Sequence, residues 1–181
     1  MARIKPIDKE AAGTATTDLL GMVKRKMGSV PNIISTMANS LAVAKAYLGF
    51  NQALSAGALS LRMREQIALL VAELNNCEYC LAAHTAFGKG VGLDDQEIAD
   101  ARQASARSDR ERAALVFVRS IVQNHGSVSD IDVAQVRNAG FTDGEIIEII
   151  ANVALNIFTN YFNLVVATEV DFPTASDLAA A

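Results

Sequence analysis

Residues 61–92 of this 181-residue chain read LRMREQIALLVAELNNCEYCLAAHTAFGKGVG, and this stretch decides how the rest is interpreted. It holds both cysteines of the protein, Cys77 and Cys80, and one of its two histidines, His84. Cysteines three residues apart are one helical turn apart, close enough for a disulfide where the backbone permits. His84 follows Cys80 by four residues and so falls on the same helical face. An imidazole beside a thiol accepts its proton and leaves a nucleophilic thiolate, so the spacing predicts a thiol redox site with its own base.

The pair Asn75-Asn76 predicts a break in the helix just before the cysteines. Both side chains compete for nearby backbone groups, which makes them poor residues for a helix interior. A new helix is then expected to start near Cys77 and to end between Gly88 and Gly92. The positive end of its dipole would favour the thiolate of the first cysteine.

Two upstream carboxylates compete for a role beside the thiols. Glu73 precedes Cys77, Cys80 and His84 by four, seven and eleven residues, offsets that fit one unbroken helix. A break at the asparagine pair would remove that alignment. Glu65 lies twelve residues before the first cysteine, so it would have to reach the site from the preceding helix.

A metal site is the main structural alternative for the same atoms. The two cysteines and His84 supply three zinc ligands, and Glu65, Glu73 or a water would complete the set. Structural zinc sites typically draw on two separated ligand pairs, and the sequence has no second cysteine pair. The redox interpretation is therefore preferred. Tyr79 is either a packing residue or a proton donor, and His125 falls in a loop-like stretch expected at the surface.

Composition indicates one globular domain. Hydrophobic residues make up 51% and charged residues 20%, and a formal net charge of -4 gives no reason to expect nucleic acid or an anionic membrane as partner. We expect an arm at residues 1–16, a domain at 17–173 and a tail at 174–181. The N-terminus lacks the apolar stretch of a signal peptide, which predicts a cytoplasmic protein. In that reducing compartment a close cysteine pair is more often redox-active or metal-binding than structural.

The remaining patterns predict an all-α fold. Capping-box patterns open helices at about 94–104, 109–124 and 143–169, and Ser129 is expected to start another at 130–138. Thr17-Asp18 is expected to cap a helix ending at residue 27, and 41–54 continues in a helical pattern. The last helix is apolar on most faces, which predicts burial in the core or against another subunit. Together with the hydrophobic composition, this helix suggests a homo-oligomer. It is not expected to cross a membrane, because five polar residues interrupt its apolar run: Glu148, Asn152, Asn156, Asn160 and Asn163.

A weak similarity between two segments of the chain supports a degenerate two-helix repeat. A shift of eighty residues aligns the run starting at Glu65 with the run starting at Glu145, and Asn76 with Asn156. The second copy has Ile157 and Asn160 where the first has its cysteines, so only the first copy would carry the thiols.

Together these residues resemble the AhpD-like alkylhydroperoxidase branch of the carboxymuconolactone decarboxylase family. The similarity is carried by Arg64-Glu65, by Cys77-Glu-Tyr-Cys80 and by His84. It extends over roughly residues 20–172. Two further segments also resemble peroxidase-related members: Gly28-Ser-Val-Pro31-Asn32 and Ala139-Gly140-Phe141-Thr-Asp143.

The resemblance implies an AhpD-like helical fold and a thiol-dependent peroxidase or disulfide reductase. It places Glu65 at the position of the family's proton-relay glutamate, with Glu73 as the second choice. Cys80 would attack the hydroperoxide and Cys77 would resolve the product as a disulfide. No bound cofactor is expected; a lipoyl-type or thioredoxin-like dithiol would act as external reductant. The position of Tyr79 is commonly histidine in AhpD itself, which is a departure from that relay.

Two other functions remain open from the sequence. One is the decarboxylase-type activity for which the family is named, although those members generally do not rely on a Cys-x-x-Cys pair. The other is non-enzymatic: a redox-sensing protein or one stabilised by zinc. A thiol titration with and without peroxide, with a metal assay, separates these from a peroxidase.

Overall fold

The computed structural model describes residues 1–8, 10 and 12–175, and the regular secondary structure of this part of the chain is helical, with no strand. The predicted all-α fold is confirmed. The described residues form nine helices: α1 (Thr14–Met27), α2 (Asn32–Met37), α3 (Leu41–Ser55), α4 (Leu61–Leu74), α5 (Glu78–Gly90), α6 (Asp95–Arg102), α7 (Asp109–Gln123), α8 (Asp130–Asn138) and α9 (Asp143–Val166).

Helix α4 lies at the centre of the fold and packs against α5, α6, α7 and α9. Its residues 66–72 are all buried, so it is covered on every side along this segment. One apolar cluster joins α4 to α6, α7, α8 and α9. A second joins α1, α2 and α3 to the end of α4 and the start of α5, and this second cluster contains both cysteines.

The predicted helix starts depend on side-chain caps that the structure contains. Asp94, Ser129 and Thr142 each accept the backbone N–H three residues later, and the acidic residue there accepts the N–H of the cap, which forms a full capping box. Ser108 accepts the N–H of Glu111 without the reciprocal backbone bond. These local pairs satisfy N–H groups that no helical carbonyl can reach. The starts of these helices could therefore be predicted from the sequence.

The first helix begins earlier than expected. Helix α1 starts at Thr14, and its N-cap is Gly13, which has no side-chain cap; Thr17 and Asp18 lie inside the helix. The tail predicted at 174–181 lies almost wholly outside the described residues.

The last helix ends at Val166, three residues before the predicted end. Ala167 takes a left-handed conformation (φ 53°), and the N–H of Thr168 donates to the carbonyl of Asn163. The guanidinium of Arg3, from the N-terminal arm, donates to the exposed carbonyls of residues 164 and 165, each at 2.9 Å. A basic side chain at a helix C-terminus also complements the helix dipole.

Helix α9 is one continuous helix, whereas the segment it echoes is divided into α4 and α5. Asn156, aligned with Asn76, lies in the helix interior. The two-helix form of the repeat is therefore absent from the second copy.

Length and apolar composition would allow α9 alone among the described helices to cross a membrane, with a mean hydropathy of 1.5. Half of that apolar window is buried inside the fold. Core helices of soluble proteins pass the same test, so α9 is a weak membrane indicator.

Candidate active site

The predicted break between α4 and α5 is confirmed, and it creates the setting of the thiols. Asn76 adopts φ 53°, its N–H donates to the Glu73 carbonyl, and the N–H of Cys77 donates to the Ala72 carbonyl at 2.9 Å. This pair of bonds is a Schellman motif, in which asparagine tolerates the left-handed position. The Asn75 side chain also donates to Oδ1 of Asn160 at 2.9 Å, which ties the break to α9.

Cys77 is the N-cap of α5, and Cys80 lies in its first turn. Their sulfurs form a disulfide, with Cα atoms 5.3 Å apart. Sγ of Cys77 accepts the backbone N–H of Cys80 at 3.4 Å, as an N-cap side chain does. Exposure is 1% for Cys77 and 3% for Cys80, so the pair lies beneath the surface.

His84 and Glu65 meet across the α4–α5 contact, as the resemblance implied. Nδ1 of His84 lies 2.7 Å from Oε2 of Glu65, and the two side chains are 22% and 19% exposed. A carboxylate can only accept, so the proton of a neutral imidazole stays on Nδ1 and the lone pair is on Nε2. This orientation suits a general base, because Nε2 has no protein partner among the described residues.

Glu73 faces a different part of the molecule. Its Oε2 accepts from Nε of Arg102, on α6, at 2.7 Å. Because α4 ends at Leu74 and α5 begins at Glu78, Glu73 and the cysteines do not lie along one continuous helical face. The alternative that required one unbroken helix is wrong in its geometry.

Tyr79 is held by backbone and carboxylate contacts rather than directed at the sulfurs. Its hydroxyl accepts the N–H of Ile33, in the first turn of α2, at 3.2 Å, and bonds to the carboxylate of Asp171. Asp171 also accepts the N–H of Asn32 at 2.8 Å. Pro31 begins this helix and offers no capping side chain, so these two groups satisfy N–H donors that would otherwise be orphaned. Burial above all raises the pKa of the Tyr79 phenol.

Tyr79→Phe is expected to destabilise the fold by about 1–3 kcal/mol, because the buried Ile33 N–H loses its acceptor. Burial raises the pKa of Tyr79 in the folded state, so this residue contributes stability below the ordinary phenol pKa of about 10 that is lost as pH rises above it. The variant should therefore lose less stability than the parent between neutral and strongly alkaline pH. Urea unfolding across pH measures both effects, with exposed Tyr161→Phe as the control. Equal alkaline losses in parent and variant would contradict this.

Two neighbours of the site were not singled out by sequence reasoning. Nδ2 of Asn163, on α9, donates to Sγ of Cys80 at 3.3 Å. Tyr47, on α3, is close enough to Glu65 for the carboxylate to add to the effect of burial in raising its pKa. An asparagine within the apolar pattern of the last helix was the sequence signal for Asn163. The sequence carried no such signal for Tyr47.

An aromatic cluster borders the histidine. The ring of Phe87 lies 6.0 Å from that of His84 and 5.5 Å from that of Phe172, which also contacts Tyr79 edge-on at 5.7 Å. Phe172 lies in the segment after α9, so this segment covers one edge of the site.

No group of three or more His, Cys, Asp or Glu side chains in the described ranges is arranged to hold a metal. A groove of about 560 Å³ lies elsewhere, between the ends of α4 and α7 and the face of α9. None of the predicted site residues lines it.

Comparison with known proteins bears on the fold and on the family. The model of the carboxymuconolactone decarboxylase family matches residues 42–119, which include both cysteines, the histidine and both glutamates. No curated protein matches the chain.

Solved structures share the fold over almost the whole chain. An alkylhydroperoxidase AhpD core, an uncharacterised peroxidase-related protein from Ralstonia eutropha JMP134, has a TM-score of 0.85 at 23% identity and covers 94% of this chain and 92% of that chain. A peroxidase-related protein from Silicibacter sp. TM1040 has a TM-score of 0.81 at 24% identity, with 92% and 91% covered. The debrominase Bmp8 in complex with 2,3,4-tribromopyrrole has a TM-score of 0.78 at 19% identity, with 93% and 91% covered. At these identities the likeness establishes the fold.

Proposed function

We propose that this chain belongs to the AhpD-like carboxymuconolactone decarboxylase family, whose model matches residues 42–119, and that it reduces hydroperoxides through Cys77 and Cys80. The observation that carries the proposal is a buried cysteine pair that closes as a disulfide at the start of α5, the helix whose His84 hydrogen-bonds to Glu65. A decarboxylation changes no cysteine oxidation state, so it would leave the pair without a role.

The first half of the proposed cycle oxidises Cys80. Nε2 of His84 takes the thiol proton, and Glu65 holds the imidazole and stabilises its charged form. The thiolate attacks the distal peroxide oxygen and the O–O bond breaks. The imidazolium returns its proton to the departing alkoxide, so the products are an alcohol and the sulfenic acid of Cys80.

The second half closes and reopens the disulfide. The thiol of Cys77 attacks the sulfenic sulfur, and water leaves with the thiol proton. An external dithiol then donates two electrons and two protons by exchange, which restores both thiols and leaves the reductant as a disulfide. A lipoyl-type or thioredoxin-like dithiol fits this role.

The proposal is tested with the reduced protein, cumene hydroperoxide and dihydrolipoamide. Peroxide should disappear catalytically, and a stoichiometric treatment without reductant should remove two thiols per chain. The same sample is assayed for metal. Retention of both thiols would contradict the proposal. Stoichiometric zinc with no turnover would replace it with the zinc-stabilised alternative.

A second candidate is reductive debromination of an aromatic ring, favoured by the rings of Phe87 and Phe172 beside His84. Two thiols would supply the electrons that replace bromine by hydrogen, yielding bromide, a proton and the disulfide. Bromide release from 2,3,4-tribromopyrrole under the same conditions, without peroxide turnover, would favour this candidate.

We also propose a homo-oligomer, with a C₂ dimer as its minimal form. Several large apolar side chains of α9 are exposed, which supports an interface there: Ile147, Ile150, Phe158, Tyr161, Leu164 and Val165. Ile150 and Tyr161 also line the groove described above. Light scattering at micromolar concentration should give at least twice the chain mass; a monomer would contradict the proposal.

A cytoplasmic location is proposed because a dithiol-reduced site needs a reducing compartment. Cell fractionation tests it, and recovery outside the cytoplasm would contradict it.

A further inference from the structure

The Cys80 sulfur has a hydrogen-bond donor that belongs to neither α4 nor α5. Nδ2 of Asn163 reaches it from α9 across 3.3 Å. Asn163 is 4% exposed and Cys80 3%, so water cannot replace this donor without a change in packing. Polar side chains are seldom buried on an apolar helix unless they gain a hydrogen bond, and this one is made to the sulfur.

The chemistry of the partner fixes the orientation of the amide. A disulfide sulfur and a thiolate can only accept hydrogen bonds, so the reversed amide would set its oxygen lone pairs against those of sulfur. In the observed orientation Oδ1 of Asn163 is buried without a hydrogen-bond partner in the described part of the chain. The contact to sulfur is thus the bond that this side chain makes.

The two sulfurs accept hydrogen bonds from different donors. Sγ of Cys77 accepts the backbone N–H of Cys80, which belongs to the first turn of α5. Sγ of Cys80 accepts the side chain of a residue 83 positions away. Any residue at position 80 except proline keeps the backbone N–H donor to Cys77, whereas a substitution at position 163 can remove the side-chain donor to Cys80.

We propose that the Asn163 amide stabilises the thiolate of Cys80 and so makes this sulfur the nucleophile toward the hydroperoxide and the leaving group when the disulfide is reduced. The inference builds on the proposed thiol cycle and names a residue outside its Glu65–His84 pair. When Cys80 loses its proton, the sulfur keeps the electron pair and the amide N–H donates to it. A hydrogen bond to the charged form favours that form, and here it opposes the effect of burial, which favours the neutral thiol.

Other groups around Cys80 also affect how readily its thiol ionises. Within the second apolar cluster, α1 and α2 contribute apolar side chains such as Leu19, Leu20, Ile33 and Met37. The titratable groups on the neighbouring elements interact with one another, and they lie on α3, α4, α5 and the segment after α9: Tyr47, Glu65, Tyr79, His84 and Asp171. Glu73, at the end of α4, is paired with Arg102 on α6.

The test compares Asn163→Leu with Asn156→Leu in a chain that carries Cys77→Ser. Serine is a preferred N-cap, so the background keeps its α5 start and leaves Cys80 as the only thiol. Asn156 is the matched control: it lies on the same helix, is 6% exposed and donates to the carbonyl of Asn152 rather than to sulfur. The pH dependence of iodoacetamide labelling gives the Cys80 pKa in each chain.

Asn163→Leu should raise the Cys80 pKa by about one to two units, and labelling near neutral pH should slow roughly ten- to hundredfold. Asn156→Leu should leave both near the background values. Equal values in the two variants overturn the inference. Because labelling requires no peroxide, this outcome is independent of whether the protein turns over hydroperoxide.

Two further measurements keep the inference falsifiable if the leucine variants fail to fold. Asn163→Ala and Asn156→Ala repeat the comparison with smaller side chains. In the chain with Asn163 intact, the side-chain amide proton resonance of Asn163 should follow the ionisation of Cys80 as pH rises. A resonance that stays unchanged through that titration overturns the inference.

Discussion

Glu65→Gln is expected to slow hydroperoxide reduction by on the order of 10² to 10⁴, the usual effect of removing a positioned proton-transfer group. Glutamine preserves size and one oxygen acceptor for the His84 Nδ1–H, whose bond is 2.7 Å in the parent. What it removes is the negative charge that stabilises the imidazolium formed when the thiol loses its proton. Stopped-flow oxidation of the reduced protein by peroxide measures this step without the reductant.

Glu73→Gln is the matched control, because it makes the same change eight residues later on the same helix. Glu73 bonds to Arg102 rather than to the site, so this variant should lose some thermal stability and little rate. His84→Ala should resemble Glu65→Gln, and the double variant should be little slower than either if both act in one relay. A damaging Glu73→Gln together with a normal Glu65→Gln would show that the relay is assigned to the wrong carboxylate.

Cys80→Ser should abolish turnover, because a serine hydroxyl cannot form the sulfenic acid on which the cycle depends. Cys77→Ser should also stop turnover but should still consume one equivalent of peroxide, since Cys80 keeps its donor and its base. Mass spectrometry of the product distinguishes them: a sulfenic acid trapped by dimedone in Cys77→Ser, and no such adduct on position 80 in Cys80→Ser.

In the parent protein the same peroxide treatment should link Cys77 and Cys80 within one chain, as their Cα separation of 5.3 Å allows. Links that are mainly between chains would rule out the two-cysteine cycle. A dimedone adduct on Cys77 in Cys80→Ser, with continued peroxide consumption, would exchange the roles of the two cysteines.

The local sequence determined where several helices begin, where α4 breaks, and how Cys80 and His84 are spaced. Capping residues such as Asp94 and Thr142 act over three residues, so the starts of their helices could be predicted from the sequence. The break at Asn75-Asn76 is equally local, because it depends on a left-handed asparagine and two backbone bonds to the preceding turn. The four-residue spacing of Cys80 and His84 likewise belongs to a single helix, α5.

Tertiary structure decided what depends on contacts between distant segments. The sequence alone did not decide which of two carboxylates pairs with His84. The packing of α5 on α4 brings Glu65 to His84, while Glu73 bonds to Arg102 on α6. The end of α9 involves Arg3, more than 160 residues away, which no local pattern encodes. Asn163 reaches Cys80 in the same way, across 83 residues. Residue type and spacing specify bonds within one turn, whereas a bond between helices exists only after the apolar faces have packed and set their relative positions.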